Sequence, residues 1–154
     1  MGKKLGLQRF LCYLCAEIET KRMKNLLKRH PLTTALLVVI WVLCLMPVPE
    51  TPLSQVRMID KWTHFVMFGT LAVVAWWECK GAALTRGKAM RRAVGIFLMA
   101  WLTGGLVELA QAYLTNGVRS GEWMDFVADG IGALLGQPIG MLLAACRAKG
   151  DRAA

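Results

Sequence analysis

In the run Asp60-Lys61-Trp62-Thr63-His64-Phe65, His64 follows Asp60 by one helical turn, so an imidazole and a carboxylate share one face. Glu108 and Gln111 form a second such pair, and Asp125 and Asp129 a third. An imidazole among carboxylates can act as a general base oriented by an acid, or can ligate a cation. Lys61 and Arg119 beside helix N-termini suit a phosphate instead. Each group also has a plainer reading. Asp60 and Asp125 begin helices and could cap them, and His64 could be satisfied by a backbone carbonyl. Glu108 and Asp129 lie well inside apolar helices, where a paired structural hydrogen bond is the alternative to a functional site.

The elements that carry these residues are apolar. The 154 residues are 56% hydrophobic and 19% charged, where an ordinary soluble domain is about 45 to 50% apolar and about 25% charged. That balance excludes disorder and argues against a soluble enzyme. No ionised residue occurs from Pro31 to Pro49, and only His64 interrupts Trp62 to Trp77. Two further stretches, Ala93 to Thr115 broken by Glu108, and Gly130 to Cys146, complete the set. They predict helices at 32–48, 62–79, 93–115 and 124–145, long enough to cross a hydrocarbon layer of roughly 30 Å. A soluble bundle would need a polar face on each helix, and Leu36 to Leu43 offers none. The expected fold is therefore all-α, an integral membrane four-helix bundle over residues 31–146.

Basic residues orient it. Residues 1–31 carry eight Lys and Arg, the 80–92 loop five and the tail after Cys146 three, against Arg57, Lys61 and Arg119 in the other two loops. By the positive-inside rule both termini and the middle loop are cytoplasmic, so a multi-pass membrane protein with its two sparse loops outside is expected. Topology thus accounts for the net charge of +9, and nucleic acid is not expected as a partner. Residues 1–30 form a basic cytoplasmic segment, either an amphipathic helix on the inner leaflet or an extension ahead of a start at Met23. Residues 147–154 form a basic cytoplasmic tail. Pro47-Val48-Pro49-Glu50 provides no small-x-small cleavage site, so the first apolar stretch is read as an anchor rather than a signal peptide.

Of the cysteines, Cys12, Cys15, Cys79 and Cys146 fall on the reducing side and only Cys44 toward the outside, so no structural disulfide is expected. Cys12-x-x-Cys15 lacks two further zinc ligands nearby. A divalent metal held by His64, Asp129, Glu108 and Asp125 is chemically possible, but the positions match no known ligand spacing, so no metal and no cofactor is predicted.

With this orientation the polar residues gather in the outward half. Counting 1.5 Å per residue, His64 and Asp129 lie roughly 6 Å deep, Gln111 about 8 Å and Glu108 about 12 Å. Carboxylates so close cannot all ionise cheaply, so Glu108 is expected to be protonated or paired with His64 or Arg119. The first helix, with only Thr33 and Thr34, reads as a wall, and the inner half of every helix reads as apolar. Gly132-x-x-x-Gly136-x-x-x-Gly140 is a small-residue stripe for close helix packing, with Gly104-Gly105 as its expected partner.

Three ordered motifs, Lys61-x-x-His64, Glu108-x-x-Gln111 followed by Arg119, and Asp125 through Gly132, resemble those of the VanZ-like membrane protein family over residues 32–145. The resemblance carries Lys61, His64, Glu108, Gln111, Arg119, Asp125 and Gly132 over as family positions. Asp129 departs from the pattern, where asparagine is more usual. The family is associated with resistance to the lipoglycopeptide teicoplanin. What the resemblance implies is a cell-envelope protein whose outward polar pocket, lined also by Asp129, takes a membrane lipid head group or a lipopeptide. Two alternatives stand beside it: a membrane enzyme using His64 as general base on a polyprenyl or phospholipid phosphate, and a proton or ion pathway. The pathway would require a homo-oligomer, and no nucleophile signature accompanies the enzyme reading.

Overall fold

The structure, a computed structural model, describes residues 20, 24–25, 27–47, 58–79, 85–115 and 121–153. Most of these residues are helical, with no strand among them. The chain divides into two units, Met1–Pro31 and Leu32–Ala154. In the first, Lys24, Asn25 and Leu27 to Arg29 are helical, and the amphipathic stretch and Cys12-x-x-Cys15 lie outside the described residues. Four helices account for the rest: α1 (Pro31–Leu45), α2 (Ile59–Glu78), α3 (Arg86–Leu114) and α4 (Trp123–Ala153).

Their bounds differ from the sequence expectation for local reasons. Helix α1 stops at Leu45 rather than at 48, because Pro47 has no N–H to give and disfavours the α conformation at Met46. Helix α2 starts early, at Ile59, behind Met58 in the left-handed region (φ 66°). Helix α3 takes in Arg86 to Arg92, which read as loop, and α4 absorbs the expected tail to Ala153 despite Pro138. Two helices, α3 and residues Trp123–Asp151 of α4, are long and apolar enough to cross a membrane. Helix α1 is apolar but has 15 residues, and α2 has the length but carries Asp60, Lys61, His64 and Glu78.

The glycine stripe builds the tightest seam. A Cβ on Gly132 would strike the Phe65 carbonyl oxygen, one on Gly136 the Gly69 carbonyl, and one on Gly140 would lie 2.8 Å from Trp76 Cβ. Both helices ascend in register along this seam, so α2 and α4 run parallel. The expected partner was Gly104-Gly105, and the structure corrects it: Gly104 accommodates the Asp129 side chain and Gly105 the Phe126 ring. Helix α3 runs antiparallel to α4, joined by Trp101, which stacks on Phe126 at 4.9 Å and lies against Gly130.

Helix α1 is tied at both ends. The Glu78 carboxylate accepts the Leu32 and Thr33 N–H groups at 2.7 and 2.8 Å and the Thr33 hydroxyl at 2.6 Å, satisfying orphan donors of the first turn. Thr33, read only as part of a wall, thus has a structural task. At the other end the Gln111 amide donates to the Cys44 carbonyl at 2.9 Å. The half of the bundle away from His64, expected to be apolar, is not wholly so, since the Trp76 indole N–H donates to buried Gln137 between α2 and α4.

Large apolar side chains cover the outside. Val38, Val39, Val42 and Leu43 on α1, Leu98, Leu102, Leu106 and Leu109 on α3, and Ile131, Leu134, Leu135, Ile139 and Leu142 on α4 are all exposed. In the most apolar stretches of α3 and α4 only 33% and 39% of residues are buried, where a soluble core helix would be mostly buried. Trp62, Tyr113 and Trp123 are exposed at the end where α2 and α4 begin. At the opposite end Arg147 stacks over Trp77 at 5.0 Å and Arg92 lies 6.0 Å from the Trp76 ring.

Candidate functional site

Helices α2, α3 and α4 each deliver polar side chains to the end where α2 and α4 begin. His64 sits one turn into α2 beyond Asp60, so it faces the seam, and it is buried to 1% exposure. Its Nδ1–H donates to Asp129 Oδ1 at 2.9 Å, in the tautomer protonated at Nδ1, and Glu108 Oε1 lies 3.6 Å from the same nitrogen. Asp129 reaches this position because Gly104 on α3 leaves room for its carboxylate. The expected convergence of His64, Glu108 and Asp129 is therefore present in the fold.

Lys61 forms the rim. Its Nζ donates to Glu122 Oε2 at 2.6 Å and lies 3.2 Å from Asp125 Oδ1. The Glu122 hydrogen bond, reinforced by Asp125, holds the ammonium above its ordinary range against the opposing effect of desolvation. Read from sequence as a phosphate holder, Lys61 already has two carboxylates beside it. Asp60, His64 and Asp125 converge next to it, each with a ligating atom within 4.8 Å of the others.

Glu122 is the residue that sequence reasoning missed. Besides holding Lys61, its backbone N–H donates to Glu108 Oε2 at 2.8 Å, closing the turn ahead of α4 onto α3. No residue-type signal announces a main-chain donor. Gln111 is buried on the Glu108 face as expected, yet its amide is committed to α1 through Cys44. Arg119 lies outside the described residues. Gly132, Gly136 and Gly140 serve packing below the cluster.

What distinguishes the cluster is the number of acceptors without donors. Glu108 Oε1, Gln111 Oε1, Asp125 Oδ2 and Asp129 Oδ2 are buried with no hydrogen bond, as is His64 Nε2, and Asp125 Oδ1 has only the Lys61 ammonium at 3.2 Å. Such groups are costly in an apolar surround unless something outside the protein satisfies them. Comparison with protein-family models, with curated proteins and with solved structures finds no match, so the reading of the site rests on its own geometry.

Proposed function

We propose that this chain is a VanZ-like multi-pass protein of a bacterial cytoplasmic membrane, with four helices crossing it and both termini inside. On this reading its outward polar cluster binds a lipid head group or a lipopeptide in the service of the cell envelope, including resistance to teicoplanin. The observation that carries the proposal is the set of buried, unsatisfied acceptors on three helices at one end of an otherwise apolar bundle. Exposed Trp62, Tyr113 and Trp123 at that end suit a membrane interface, and the exposed leucines and valines along α1, α3 and α4 suit hydrocarbon. Arg92 and Arg147 over tryptophans at the opposite end agree with a cytoplasmic face there.

The test is susceptibility to teicoplanin, scored beside membrane levels. His64→Ala, Glu108→Gln and Arg119→Ala should each abolish protection with the protein still in the membrane, while Asp151→Asn at the opposite end should protect fully. Loss of folded protein in the first three, with full activity in what survives, would make the cluster structural only.

One observation favours a second reading. His64 is oriented by Asp129 through Nδ1 while Nε2 has no partner, the arrangement a general base requires. A membrane enzyme acting on a polyprenyl or phospholipid phosphate would show phosphate release that His64→Gln removes.

A further inference from the structure

Three donor atoms from three helices converge on one point in the cluster. Asp129 Oδ1 and Glu108 Oε1 lie 2.9 and 3.6 Å from His64 Nδ1, and a ligating atom from each residue lies within 4.8 Å of the other two. Two donors bound to the same ion at about 2.1 Å in tetrahedral geometry stand about 3.4 Å apart. The two spacings from the imidazole bracket that separation, and the two carboxylates lie within 4.8 Å of each other, so the three donors are close enough to share one ion.

Geometry alone would also describe a hydrogen-bonded acid cluster, but the unsatisfied atoms point to a ligand. Glu108 is 8% exposed, and its Oε1 faces the imidazole with no hydrogen bond. Asp125, 1% exposed, has Oδ1 ion-paired with Lys61 at 3.2 Å but Oδ2 without a hydrogen bond, and brings a ligating atom within 4.8 Å of His64. The excess is of acceptors, which a cation satisfies and another acceptor does not. Two carboxylates and a neutral imidazole also balance a charge of +2, which removes the cost of leaving like charges together in a low-dielectric interior.

We propose that His64 Nδ1, Glu108 and Asp129 bind one divalent transition-metal cation, zinc or manganese, in the polar end of the bundle. The mixed nitrogen and oxygen donors favour these ions over calcium and magnesium, which prefer oxygen alone. On binding, the ring proton resides on Nε2 and Nδ1 is released to the ion. Asp125 stands beside the site as a further acceptor. Linear spacing hides such a site, because each ligand comes from a different helix. The ion site does not depend on the head-group reading, and it is tested without lipid.

The full chain, purified in detergent and stripped with a chelator, is titrated separately with zinc, manganese and magnesium. The expected result is one zinc or manganese per chain, magnesium failing to compete, and a rise in melting temperature that chelation reverses. Asp129→Asn and Glu108→Gln should weaken binding about 100-fold or more, beyond what loss of an outer partner alone typically costs. Asp151→Asn should bind as the unsubstituted chain does. Cobalt titrated into the unsubstituted chain should give the visible bands of an ion with inner-sphere nitrogen and oxygen ligands, whatever the variants do. Absence of stoichiometric binding to the unsubstituted chain, or equal affinity in Asp129→Asn, would overturn the assignment.

Discussion

Asp129 is held on both sides: Oδ1 accepts from His64, and the rest of the carboxylate fills the space that Gly104 leaves on α3. Asp129→Asn keeps an acceptor for the imidazole and should fold and insert at normal levels. Asp129→Leu leaves Nδ1–H buried without a partner and should cost about 1–3 kcal/mol, read as a lower melting temperature in detergent. Lys61 offers a sign to check. Its pKa is raised, so its pairing with Glu122 and Asp125 is complete at neutral pH and is lost only as pH climbs through a value above the ordinary 10.5. At this scale the residue types were legible: His64, Glu108, Asp125 and Asp129 were marked by the oddity of polar groups within apolar stretches. Glu122 was not, because it precedes α4 in a loop and half of its task is done by a main-chain N–H. The carboxylates around Lys61 were hidden for a related reason, since spacing along the chain cannot show that Glu122 and Asp125 come within reach of its ammonium.

Helices α2 and α4 meet through backbone, which fixes what the stripe tolerates. Gly132→Ala would drive a methyl into the Phe65 carbonyl, a main-chain atom that cannot rotate away, and should destabilise by about 1–3 kcal/mol. Gly95→Ala on α3 meets nothing within 4 Å and should instead gain about 0.5–1 kcal/mol from helix propensity. Unfolding of both variants in mixed detergent would measure the contrast. The stripe itself was legible as period-four glycines, and its partner was not. The choice between α2 and α3 depends on which helix offers a flat backbone, and the Gly69 and Phe65 carbonyls do so where Gly104 is already filled by Asp129. The capping of α1 by Glu78 was equally hidden, because it joins residues 46 apart in sequence. Glu78→Gln replaces a charge-assisted cap with a neutral one. It should speed amide exchange at Leu32 and Thr33 by about 2- to 30-fold, the equivalent of the 0.5–2 kcal/mol typical of a lost cap, while the cluster at the other end is unaffected.

For the molecule as a whole, the division of charge along the chain and the ends of the bundle agree. Loops 47–61 and 116–123 lie in sequence beside the polar cluster and carry three of the nineteen basic residues. Single cysteines placed there should react with an impermeant maleimide from outside the cell, and cysteines at 80–92 should not. The reverse pattern would turn the cluster toward the cytoplasm and remove the envelope reading. The helical class and its apolarity were legible because long uncharged stretches stand out in the sequence, though only α3 and α4 prove long and apolar enough to cross a membrane. Which helix touches which was not, since outward-facing and partner-facing residues are equally apolar here and only glycines and buried polar groups distinguish the faces. The most direct measurement of the central claim is native mass spectrometry of the full chain released from bacterial membranes in mild detergent. The account predicts that the unsubstituted chain retains a lipid of one head-group class through detergent exchange, and that folded His64→Ala and Glu108→Gln lose it. Equal retention by all three chains, or retention by none, would contradict it.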